Sequence, residues 1–168
     1  MKLEEANLIA HRVIAELAPH CERIEIAGSI RRRKPEVKDI EIVAIPKPYD
    51  VGLFASGIAK VVNQWRKVRG ELPCKYTQRI LPEGIATDLF FATADNWGLI
   101  YAIRTGSAEF SHRVLASGWV RNGYKSVDGM LTREGFTVPC REEADLFRLC
   151  GVKWVEPEDR EAKEMGLK

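Results

Sequence analysis

The chain predicts an α+β fold in two parts: a mixed β-sheet with helices on one face over residues 1–94, then a smaller α/β unit over residues 95–168. Three observations carry this. Residues 3–17 repeat apolar side chains at three- and four-residue spacing, the period of an amphipathic helix. The stretches DIEIVAI (39–45) and IATDLFFAT (85–93) are short, rich in β-branched and aromatic residues, and read as strands. Beyond Thr93 the pattern changes to short helical runs around a small β-element.

In order along the chain, the first helix buries Ala6, Ile9, Ala10, Val13, Ile14 and Leu17 and stops at Pro19, which cannot extend it. It should pack on a sheet that begins near Arg23. RIEIAGS reads as a strand that ends in a glycine turn at Gly28-Ser29, and Pro35 turns the chain again before DIEIVAI. In that strand residues i and i+2 share a face, so Asp39 and Glu41 point one way while Ile40 and Ile42 point into the core. After the loop PKPYD, a second helix is expected from Val51 to Val68, with Phe54, Ile58, Val61, Val62 and Trp65 on one face and Gly70 ending it.

KYTQRIL and IATDLFFAT flank Pro82-Glu83-Gly84 and read as a hairpin. Asp88 is the one charged residue of the second run, set among Leu89, Phe90 and Phe91, where an unpaired carboxylate is costly. A solvent-facing Asp on an edge strand is the bland alternative; the acidic pair upstream favours a shared site. Next come helices in DNWGLIYAI and SAEFSHRVLASG, with Ser107 as N-cap and Gly118 as stop. GYKSV and MLT around Asp128-Gly129 form a small β-element, and a helix runs from Arg141 to Leu149.

Totals exclude several classes. The apolar share of 45% and charged share of 30% belong to an ordinary globular chain, no run approaches a membrane span, and the charged N-terminus is unlike a signal peptide. A cytoplasmic protein without membrane association is expected. The four cysteines, at 21, 74, 140 and 150, have no metal-ligand or disulfide spacing and read as reduced structural thiols. Net charge is +2, but residues 1–79 hold 15 Lys and Arg against 10 Asp and Glu, an excess that suits a polyphosphate or nucleic-acid partner.

The chemistry concentrates between Ile26 and Ile45. Two carboxylates about 6 to 7 Å apart on a rigid strand suit divalent cations that bind few protein ligands plus phosphate oxygens. A glycine turn with a serine hydroxyl, beside Arg31, Arg32 and Arg33, suits the phosphates themselves.

Gly28-Ser29-x-Arg31-Arg32 followed by Asp39-x-Glu41 resembles the signature of polymerase-beta-type nucleotidyltransferases. Asp88 on a later strand, then Arg104-Thr105-Gly106-Ser107, then Trp154, Pro157 and Arg160 near the end, extend the resemblance to family X DNA polymerases over nearly the whole chain. The resemblance implies a nucleotidyltransferase palm at 1–94 and a C-terminal polymerase-beta-like subdomain at 95–168. It implies two-metal nucleotidyl transfer from a (d)NTP to a 3′-hydroxyl, with two Mg²⁺ ions, or Mn²⁺, held by Asp39, Glu41 and Asp88. Gly28, Ser29, Arg32 and Lys38 would contact the triphosphate, and Thr105, Gly106 and Ser107 the sugar and base. The implied partners are a nucleoside triphosphate, a DNA primer or primer-template, and a protein that holds the DNA, in a repair setting.

Two positions depart from the family pattern. Glu41 stands where aspartate is usual, which extends the carboxylate by about 1.5 Å. Ile103-Arg104 stand where relatives often carry aromatics that read the sugar. A chain that starts at the palm helix is expected to lack the preceding lyase and helix-hairpin-helix parts of those relatives. Transfer to RNA, to a protein or to a small molecule, and a degenerate palm that only binds, are the alternatives.

Overall fold

The computed structural model describes residues 1–48 and 57–161, which divide between two units, Met1–Ala92 and Thr93–Lys168. In the first, helix α1 spans Leu3–Leu17, as the apolar spacing predicts, with Ala6, Ala10 and Val13 fully buried. Glu4 and Glu5 occupy its first turn, where they complement the helix dipole. Pro19 diverts the chain into a 3-10 turn, Ala18–His20, that leads to β1, Cys21–Ile26. A single helical turn, α2 (Gly28–Arg31), replaces the expected glycine turn and leads to β2, Asp39–Pro46. Then come α3 (Gly57–Val62), β3 (Arg66–Arg69), β4 (Tyr76–Ile80) and β5 (Ala86–Phe91).

The five strands form one mixed sheet in the order β1-β2-β5-β4-β3. Only β2 and β5 run parallel, a pairing that needs a crossover, and the long stretch between them supplies it. Ile40, Ile42 and Leu89 turn to one face of this sheet, where they are buried with Ile9 and Val13 of α1 and with Ile58 and Val62 of α3. The helices therefore cover one face, and the alternation of the strands directs Asp39, Glu41 and Asp88 to the other.

The helix expected from Val51 to Val68 is corrected at its C-terminal end. It stops at Val62, and Arg66–Arg69 pair with β4 as an edge strand. Gly70 ends that strand at φ +81°, where a side chain would collide with the Tyr76 carbonyl. The pairing partner, invisible to local periodicity, overrides the helical pattern here. Phe54 lies outside the described residues.

In the second unit α4 spans Trp97–Thr105. Ser107 then caps a continuous helical run of α5 (Ala108–Phe110), a π-helical stretch (Ser111–Ala116) and α6 (Ser117–Arg121). Gly118, expected to stop this run, does not. It lies inside α6, where its missing side chain lets the helix pass against Cys150, and the chain turns instead at Gly123, φ +83°. Strands β6 (Lys125–Val127) and β7 (Met130–Arg133) flank the Asp128-Gly129 turn. A third strand not expected from the sequence, β8 (Phe136–Val138), completes the sheet.

Helix α7, Glu143–Cys150, starts two residues later than the expected Arg141. The Glu142 N–H donates to Asp145 at its start, and Gly151 ends it in the left-handed conformation. Leu99, Phe110, Leu115, Leu131, Leu146 and Phe147 form the core of this unit. Its tail is pinned by Arg160, which is fully buried, pairs with Glu143, donates to the Val155 carbonyl and stacks over Phe147 and Trp154. The four cysteines are free thiols, and burial pushes Cys150 up to about 12.

Candidate active site

Strand register assembles the acidic residues. Glu41 on β2 lies directly beside Asp88 on the parallel neighbour β5, and Asp39 is two residues back on the same face of β2. Adjacent strands are about 4.8 Å apart and i, i+2 residues about 6 to 7 Å, so the three carboxylates occupy one small patch of a rigid sheet. Asp88 is 6% exposed, whereas Asp39 and Glu41 are half-buried. β5 is the central strand of the five, which removes the edge-strand reading of Asp88.

The carboxylates sense one another. Burial, and next the charge of Asp88, push the Asp39 carboxyl above its ordinary value, while its own backbone N–H, Lys38 and Arg32 pull it back. Arg32 and Lys38, both expected to meet the triphosphate, are thus near enough to act on Asp39. Arg32 is half-buried and Arg33 exposed.

Gly28 is set by the same sheet. The Ala27 N–H donates to the Glu41 carbonyl at 2.8 Å, which extends the β1–β2 pairing by one step and lays Gly28 against the Glu41 side chain. A Cβ at Gly28 would sit 1.8 Å from the Glu41 Oε2, and the residue has φ +61°. Only glycine satisfies both demands. Beside it, the Ser29 hydroxyl oxygen is buried without a hydrogen-bond partner, a cost that a ligand oxygen would remove.

Two residues that the sequence reading missed join the patch from β4. Tyr76 Oη donates to Asp88 Oδ1 at 2.5 Å, and Gln78 Nε2 donates to the same oxygen at 3.0 Å. The signal was present: counting back through the hairpin from Asp88 puts Gln78 opposite it and Tyr76 two residues further along the same face. As the side chains stand, no three His, Cys, Asp or Glu residues converge on one metal-sized point among the described residues. The carboxylates share a face, with Glu41 set beneath Gly28 and one Asp88 oxygen engaged on β4.

The donor chemistry nevertheless fits Mg²⁺ or Mn²⁺. These are hard ions that take carboxylate oxygens together with phosphate, and Asp39, raised by burial and then by the charge of Asp88, is a carboxylate that a bound cation would relieve. Beside these carboxylates the Ser29 hydroxyl is a buried donor without a partner.

Thr105, Gly106 and Ser107 belong to the second unit. Thr105 is fully buried at the end of α4, and the Ser107 Oγ accepts the Phe110 N–H at 3.0 Å as a helix cap. A Cβ at Gly106 would crowd the Phe110 ring. Each of the three therefore has a structural job, and of these residues Gly106 offers backbone rather than side chain.

Residues 100–161 match the family described as DNA polymerase beta thumb, so the second unit is similar to that thumb over most of its length. No curated protein matches the chain. No helix among the described residues is long and apolar enough to cross a membrane.

Proposed function

We propose that this chain is a polymerase-beta-type nucleotidyltransferase that adds a nucleotide from a (d)NTP to the 3′-hydroxyl of a DNA primer and releases pyrophosphate. The observation that carries the reading is the parallel register that sets Glu41 beside Asp88, with Asp39 on the same face and Gly28-Ser29 alongside. The thumb similarity of residues 100–161 supports a DNA substrate.

In this reading Asp39, Glu41 and Asp88 hold two divalent cations, Mg²⁺ or Mn²⁺, which when bound activate the attacking hydroxyl and neutralise the departing charge. The residues of the chain do the positioning. Ser29, with its unpartnered hydroxyl, and Arg32, with its guanidinium near Asp39, bind the β- and γ-phosphates, and Lys38 adds charge at the same edge. The triphosphate is thereby fixed with its α-phosphorus toward the carboxylates. A bond forms from the 3′-oxygen to the α-phosphorus, the bond from that phosphorus to the bridging oxygen breaks, and the hydroxyl proton is released.

Thr105 is buried and the Ser107 hydroxyl caps the next helix, so the contact that the resemblance assigns to their turn would be made by backbone at Gly106. The rigid sheet supplies the preorganisation on which such transfer depends.

The test is a labelled primer, with and without template, incubated with dNTPs or NTPs in Mg²⁺ or Mn²⁺. Extension by at least one nucleotide is expected. Failure with every combination would overturn the reading.

A further inference from the structure

If Asp88 is a metal-holding carboxylate, as just proposed, the two donors on β4 acquire a role. Tyr76 Oη and Gln78 Nε2 both donate to Oδ1 of Asp88, at 2.5 and 3.0 Å. Gln78 is the register partner of Asp88, and Tyr76 is the partner of Phe90, on which its ring stacks at 4.9 Å with 19° between planes. The tyrosine is therefore held by a residue two places from Asp88 on the same strand. Its hydroxyl cannot swing away without breaking that stack.

A carboxylate has two oxygens and about four lone-pair sites. Two donors on one oxygen fix the rotation of the group and direct the other oxygen elsewhere. At 6% exposure little water reaches Asp88, and the hydrogen bonds from Tyr76 and Gln78 are what orient it. We infer that Tyr76 and Gln78 are positioning residues that hold Asp88 in the orientation from which its second oxygen binds the cation.

This differs from merely satisfying a buried carboxylate. A purely structural pair would matter for folding and leave cation affinity in the folded protein untouched. Groups that orient a metal ligand typically change metal affinity by about 10- to 100-fold when removed.

The experiment is a Mn²⁺ titration, read by electron paramagnetic resonance, of the wild-type protein and of Tyr76→Phe, Gln78→Met, the double variant and Asp88→Asn. Tyr76→Phe keeps the ring and its stack on Phe90, and circular dichroism confirms that each variant is folded. We expect Tyr76→Phe to bind Mn²⁺ about tenfold more weakly and the double variant about 100-fold more weakly. Nucleotide transfer by Tyr76→Phe should lose kcat while KM for the triphosphate stays within about twofold, because the phosphate contacts lie on β1–α2. A folded Tyr76→Phe that binds Mn²⁺ as tightly as wild type would overturn the inference while leaving the proposed function standing. A wild-type protein with no Asp88-dependent Mn²⁺ binding would overturn both.

Discussion

At the scale of single residues, the site sets carboxylates side by side and partly out of water. Asp39 shows the cost: burial first, and the charge of Asp88 next, raise its carboxyl, so folding favours the protonated form more than the unfolded chain does. The stability this group contributes is full below its ordinary value of 3.8 and is lost as pH rises through its folded value. Asp39→Asn should therefore melt higher than wild type at neutral pH without metal, and the gap should close on acidification below about pH 4. Thermal melts across pH in EDTA check this, and a neutral-pH melt below that of wild type would contradict it. Charge of the other sign is selective in the same way. Arg32 acts on Asp39, whereas Arg33 is exposed at φ +58°. Arg32→Ala should weaken triphosphate binding by about 10- to 100-fold, as expected when a charge-assisted hydrogen bond is removed, with Arg33→Ala near wild type. Equal affinities of the two variants in a calorimetric titration would remove Arg32 from the phosphate site.

At the scale of elements, register decides what sequence alone leaves open. The acidic pair on β2 was legible because period-2 alternation places Asp39 and Glu41 on one face whatever the partner strand. Asp88 was legible as anomalous, a charge among Leu89, Phe90 and Phe91, and its place beside Glu41 followed from the resemblance. The contribution of β4 was not read, although Tyr76 and Gln78 sit at the right parity, because it depends on how the hairpin aligns. Local pattern failed outright where a tertiary contact competes with it. Val51–Val68 looked helical through Val68, yet Arg66–Arg69 gain a strand partner in β4. Gly118 looked like a stop, yet serves close packing against Cys150. Gly118→Ala should consequently destabilise the protein by about 1 to 3 kcal/mol through overpacking, despite the better helix propensity of alanine. Chemical denaturation measures this; a stabilised variant would restore the stop reading. The edge strand carries a second consequence, since Arg66 and Arg69 pair with Ile80 and Gln78 and so share the carboxylate face. Replacing both with alanine should weaken DNA binding and lower the slope of log affinity against log salt by about one for each DNA phosphate that is no longer neutralised. An unchanged slope in fluorescence-anisotropy titrations would place the DNA elsewhere.

At the scale of the whole chain, a net charge of +2 allows few phosphate contacts, so free DNA should bind weakly, with a salt slope set by those few contacts. What the chain offers instead is a rigid carboxylate patch in one unit and a similarity to a polymerase thumb in the other. The proposed transfer depends on the carboxylates. Its most direct test is single-nucleotide incorporation into a labelled primer in Mg²⁺, with pyrophosphate measured in parallel, by wild type and Asp88→Asn. Wild type should release one pyrophosphate for each nucleotide added, and Asp88→Asn, folded and still able to bind triphosphate, should be slower by on the order of 10³-fold. Incorporation by Asp88→Asn at the wild-type rate would contradict the account.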